Sequence, residues 1–146
     1  MAIIKPNNNT LSAITKFKVL QVVNGTVGNT AISNTDAYIG SGLSITPSST
    51  SSKVLIFVSG YAEQTSGSTG HYAELQLHEA TTGITTLVNA FLYQYTVGAR
   101  QVYSINFIRS PSTTSAVQYR LYHNEISGGS NYSYYQQTWT LMEVAG

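Results

Sequence analysis

Residues 45–62 read ITPSSTSSKVLIFVSGYA, and this stretch decides the fold. Thr46 to Ser52 are all Pro, Ser or Thr, the composition of a turn. Lys53 then introduces five consecutive apolar residues, Val54 to Val58. That run is too short to cross a membrane and too rich in branched side chains for a good helix. As a strand, it turns Val54, Ile56 and Val58 to one face and Leu55 and Phe57 to the other. A half-buried antiparallel strand carries polar residues on its second face. Apolar residues on both faces predict a second cover, and in a two-sheet sandwich the natural cover is another subunit.

The same grammar continues on both sides. From residue 17 onward, strand signals recur about every 8–12 residues, the spacing of a sandwich or barrel. FKVLQVVN (17–24) is β-branched, and its Asn24-Gly25 ending predicts a tight turn. Short strands are expected around 29–33 and 42–46, separated by NTDAYIGSG, followed by the strand from Val54 to Ala62. HYAELQLHE (71–79) alternates, with Ala73, Leu75 and Leu77 on one face and Tyr72, Glu74, Gln76 and His78 on the other. ITTLVNAFLYQY (84–95) is one bent strand or two. RQVYSINFI (100–108) gathers Tyr103, Ile105 and Phe107. AVQYRLYHN (116–124) and NYSYYQQTWTLMEV (131–144) flank SGGS and are expected to pair as an antiparallel hairpin. No segment shows a helical apolar period. The expectation is an all-β domain of eight to ten strands over residues 17–146, preceded by an extended arm, residues 1–16.

Composition narrows the function. The chain has 146 residues, 42% of them hydrophobic but only 9% charged, with eleven tyrosines. A typical soluble domain carries about 25% charged residues. Charge depletion with abundant Tyr fits a surface covered by protein, or a Tyr/Thr-rich sheet exterior. A net charge of +1 gives no reason to expect a nucleic-acid partner. Lys5, Lys16 and Lys18 make the arm mildly basic. The absence of cysteine excludes disulfides and thiolate metal sites. No signal-peptide core and no membrane-length apolar stretch occur, so synthesis in a cytoplasm and no membrane partner are expected.

Catalytic chemistry finds little to stand on. His71 and His78 point to opposite faces of one strand. His78 and Glu74 share a face, but two ligands do not make a zinc site. Asp36 is the sole aspartate, and Glu63, Glu74, Glu79, Glu125 and Glu143 are scattered. Serine has no nucleophile-elbow context. GSTG (67–70) and SGGS lack the lysine of a phosphate loop. The sequence therefore predicts no enzyme, cofactor or metal. Its densest aromatic cluster is Tyr132, Tyr134, Tyr135 and Trp139. Alternation pairs Tyr132 with Tyr134 and sets Tyr135, Trp139 and Leu141 on the opposite face. Sheet packing, a subunit interface and carbohydrate stacking are its three readings.

KVLQVVNGT, GLSITPSSTSSKVLIFVSG and the closing WTLMEVAG together resemble tailed-bacteriophage virion proteins, especially those of cyanophages and other marine phages. The resemblance runs from about residue 18 to the end and is most specific in the middle block. It implies a jelly-roll sandwich similar to tumour-necrosis-factor and complement-type heads, assembled as a homotrimer. It assigns Leu55, Phe57, Tyr132, Tyr134, Tyr135, Trp139 and Leu141 to the trimer interface. The family contains capsid cement proteins and tail-fibre heads. A cement protein would bind the major capsid protein or other virion proteins, with Ile3, Ile4, Lys5, Leu11 and Ile14 of the arm docking on the shell. A fibre head would bind a host-surface receptor or glycan. The lack of collagen-like, coiled-coil or β-helical repeats favours cement.

Overall fold

The computed structural model describes residues 18–67, 72–81, 85–93, 96–126 and 129–146. Among them nine strands form two antiparallel sheets. They are β1 (Val19–Val27), β2 (Thr30–Ser33), β3 (Ala37–Ile45), β4 (Lys53–Ser66), β5 (Tyr72–Glu79), β6 (Thr85–Tyr93), β7 (Arg100–Arg109), β8 (Val117–Glu125) and β9 (Asn131–Val144). The five-stranded sheet runs β1-β9-β4-β7, with β2 also on β9. The four-stranded sheet runs β3-β8-β5-β6.

The core lies between the sheets and follows the period-2 alternation. Val54, Ile56 and Val58 of β4 point inward, facing Ala73, Leu75 and Leu77 of β5 and Tyr119 and Leu121 of β8 in one apolar cluster. Arg109 of β7 reaches across to Glu79 of β5, donating from Nε at 2.6 Å, so an ion pair ties the sheets at one rim.

Three expectations are corrected. β1 does not turn at Asn24-Gly25; both residues stay in the ladder, opposite Thr140 and Trp139. Glycine there serves packing, since a Cβ would come within 2.8 Å of Leu43 Cδ1 on the facing sheet. NTDAYIGSG is not a separator either, because β3 begins at Ala37. Gly40 and Gly42 both have φ of +69°, and the register shifts between Ile39 and Leu43. These glycines build a bulge inside a strand rather than a loop. Finally, β8 and β9 are not a hairpin. They belong to different sheets, so the chain crosses the sandwich between Glu125 and Asn131. Turn chemistry identifies a reversal but does not say which sheet receives the returning strand.

A second bulge decides the fate of the aromatic strand. Ser59 pairs with Thr138 and Tyr61 with Tyr135, so β9 carries one extra residue there, and Gln136 has φ of +48°. The extra residue reverses the alternation. Tyr132 and Tyr134 therefore point inward on one side of the bulge, and Gln137, Trp139, Leu141 and Glu143 on the other.

The core is unusually phenolic. Burial pushes the pKa of Tyr103, Tyr119 and Tyr134 above the ordinary 10.0, and that of Tyr132 to about 12. A raised folded pKa contributes stability that is complete below pH 10 and is lost as pH climbs through the folded values. Alkaline titration is expected to ionise these four tyrosines late, in a steep absorbance step coincident with loss of the sheet circular-dichroism signal. Gradual ionisation of every tyrosine with the sheets intact would contradict this packing.

Candidate functional site

The three sequence blocks that carry the family resemblance meet at one carboxylate. Glu143, near the end of β9, has no exposed surface. Its Oε1 accepts from the Ser48 backbone N–H and the Ser48 hydroxyl, both at 2.7 Å. Its Oε2 accepts from Gln21 Nε2 at 2.6 Å, and that same nitrogen donates to the Thr46 carbonyl. Nearby, the Ala145 N–H closes on the Lys18 carbonyl at 2.9 Å. The bland Ser/Thr/Pro loop thus wraps a buried carboxylate and pins the first and last strands together. Burial alone would raise the pKa of Glu143. The Ser52, Ser48 and Gln21 side chains and the Ser48 amide outweigh it and hold the value at about 2. This node is structural.

The outer face of the five-stranded sheet has another character. Leu55 and Phe57 of β4 point outward, as the alternation requires, and Phe57 stays 39% exposed. On neighbouring β7, Val102 is 79% and Ile108 61% exposed. Leu55, Phe57, Asn106, Phe107 and Ile108 line a groove of about 490 Å³. Leu20 and Val22 of β1 continue the exposed apolar surface on the far side of β9. Toward the other end of β4, Tyr61 stacks on Tyr135 with ring centroids 4.9 Å apart. The Arg100 guanidinium lies 5.2 and 5.8 Å from the two ring centroids, and Arg100 Nε donates to Glu63 at 3.0 Å. An apolar field beside a Tyr/Arg cluster is the composition of a protein interface.

The predicted interface residues divide accordingly. Leu55, Phe57 and Tyr135 lie on this outer face. Tyr132, Tyr134, Trp139 and Leu141 do not: each is fully buried in the chain's own core, which corrects their assignment to a subunit interface. The bulge at Gln136 is the cause, since it returns Trp139 and Leu141 to the side of Tyr132 and Tyr134 and leaves Tyr135 outside. Tyr134 instead shares a 2.6 Å hydrogen bond with His123 Nδ1, and Trp139 Nε1 donates to Gln137 at 3.3 Å. Ile3, Ile4, Lys5, Leu11 and Ile14 lie outside the described residues, as does His71. Val102, Ile108, Tyr61 and Arg100 were not singled out from sequence. The alternation of β7 held the signal: with Tyr103, Ile105 and Phe107 inward, Val102 and Ile108 must face out.

His78 and Glu74 do share a face, that of the four-stranded sheet away from the core. Among the described residues no group of three His, Cys, Asp or Glu side chains is placed to hold a metal.

No protein-family model matches the chain, and no curated protein sequence does. Solved structures share its architecture. Eiger TNF from S. frugiperda aligns with a TM-score of 0.51 at 10% identity, over 85% of this chain and 93% of its own. The infectious bursal disease virus Gt strain aligns with a TM-score of 0.51 at 9% identity, over 88% of this chain and 34% of the viral one. T=1 particles derived from infectious bursal virus give 0.51 at 8% identity, over 86% and 32%. The chain thus spans a minor part of those viral chains. At such identities the likeness establishes the fold alone: a jelly-roll β-sandwich.

Proposed function

We propose that this is a non-enzymatic virion structural protein of phage type. In this reading it assembles as a homotrimer through the outer face of its five-stranded sheet and cements a capsid shell. The observation that carries the reading is the exposed apolar field of Leu55, Phe57, Val102 and Ile108, flanked by the Tyr61–Tyr135–Arg100 cluster. Leaving such a surface wet costs about 25 cal/mol per Å² of apolar area. The other sheet's outer face is polar, and this asymmetry supports self-contact through one side of the sandwich with the other left to the surroundings. The jelly-roll fold and the resemblance of the Gln21, Ser48 and Glu143 blocks to phage virion proteins support the same reading.

The arm, residues 1–16, is the shell-docking element in this proposal. Its isoleucines and Leu11 seek apolar cover, and Lys5 adds an attraction that salt screens. Deleting residues 1–16 is expected to leave a folded trimer that no longer co-sediments with shells lacking the protein. Undiminished binding by the deletion variant would show that the arm is not the clamp. Intact protein that binds host cells and never shells would favour the fibre-head reading.

A further inference from the structure

The outer face of the four-stranded sheet is wired, not merely polar. His78 is 2% and Glu74 9% exposed, although both point away from the core. Gln76 Oε1 can only accept, so His78 Nε2 carries the proton and donates to it at 2.7 Å. That leaves His78 Nδ1 to accept from the Tyr38 hydroxyl at 3.4 Å. Glu74 Oε2 accepts from Gln76 Nε2 at 2.6 Å and from Asn124 Nδ2 at 3.0 Å. Tyr122 stacks on the His78 ring at 4.9 Å, and Tyr38 meets Tyr122 edge-on at 5.1 Å. The Arg120 guanidinium lies 3.8 Å from the Tyr38 ring centroid and donates to the Gly40 carbonyl.

This network fixes two surface amides. Gln76 is held at both ends, and Asn124 through its nitrogen. Each amide still has a second N–H and a spare oxygen lone pair. Rigid donor–acceptor edges beside a half-exposed aromatic ring suit a ligand with adjacent hydroxyls and an apolar C–H face. We propose that the surface centred on Tyr122, Gln76 and Asn124 binds a neutral saccharide unit. An anion is disfavoured by the Glu74 carboxylate and by the commitment of Arg120 to Tyr38 and Gly40. A β-strand peptide is disfavoured because β5 and β8 are interior strands whose backbones are already paired on both sides. The site lies on the opposite side of the sandwich from the proposed trimer face, and it stands whether or not that face associates.

The test is a ¹H–¹⁵N correlation titration of the full-length wild-type protein. Glucose, galactose, mannose and N-acetylglucosamine are each added to about 50 mM, above the millimolar affinity of a small exposed site. At least one sugar is expected to shift, saturably, the side-chain amides of Gln76 and Asn124 and the backbone amides of 74–78 and 120–124. Asn124→Ala, which leaves Glu74 with its Gln76 bond, should weaken that sugar about tenfold, a loss of about 1.4 kcal/mol. The proposal is overturned if no sugar shifts these signals, if the shifts map elsewhere, or if Asn124→Ala binds as wild type does.

Discussion

Replacing Glu143 with leucine is expected to destabilise the fold by about 3 kcal/mol, while leaving the apolar core untouched. The change leaves the Ser48 N–H and hydroxyl without their carboxylate acceptor and removes one of the two acceptors of Gln21 Nε2, the Thr46 carbonyl remaining. A hydrogen bond to a charged group contributes about 1.5–3 kcal/mol. For a domain of this size the loss corresponds to roughly 10 °C in melting temperature. The acid profile provides an independent check. The folded pKa of about 2 lies below the ordinary 4.5, so the contribution of Glu143 is complete above pH 4.5 and is lost as pH falls through the folded value. His78 and His123, both lowered by burial, add an earlier loss of stability as pH falls below their ordinary 6.5. Wild type should therefore weaken in two stages on acidification, and Glu143→Leu should lack the later one. Superimposable acid profiles below pH 4.5 would show that the carboxylate is not the keystone of the rim.

Phe57→Asp and Ile108→Asp are expected to give folded chains that fail to assemble. In the isolated chain both side chains are substantially exposed, at 39% and 61%. Substitutions at such positions shift stability by about 0.5 kcal/mol or less. Across an apolar interface the same aspartate becomes a buried unpaired charge, costing about 3–5 kcal/mol per contact, which closed symmetry repeats. The signature is a separation of effects: a near-native melting curve for the monomer together with lost association. A variant that unfolds would place Phe57 in the core of the chain. A variant that assembles normally would take this face out of the interface.

The strands were largely legible because alternation is local. The inward set of β5 followed from every second residue being apolar. In β4 the same count separated Val54, Ile56 and Val58 from Leu55 and Phe57, but with both faces apolar it did not say which set points inward. What alternation cannot carry across is a bulge. Gln136 is neither Gly nor Asn, yet it adopts a left-handed conformation, and one uncounted residue put Trp139 and Leu141 on the same side as Tyr132 and Tyr134 instead of the opposite one. Gly40 and Gly42 misled in the opposite direction, since a Gly-Ser-Gly run reads as a loop when it bends a continuing strand. The Glu143 node is non-local: Gln21, Ser48 and Glu143 are brought together only by the sheet order β1-β9-β4. The resemblance blocks marked all three segments but could not say that they touch. The wired face of Glu74, Gln76 and His78 was visible as polar alternation on β5, whereas its partners Tyr38 and Asn124 come from other strands.

Sedimentation equilibrium of the wild-type protein at micromolar concentration tests the self-association claim most directly. The account predicts a single species of three times the 15.8 kDa chain mass, reduced to the monomer by Phe57→Asp. A wild-type protein that sediments at 15.8 kDa across that range would contradict it.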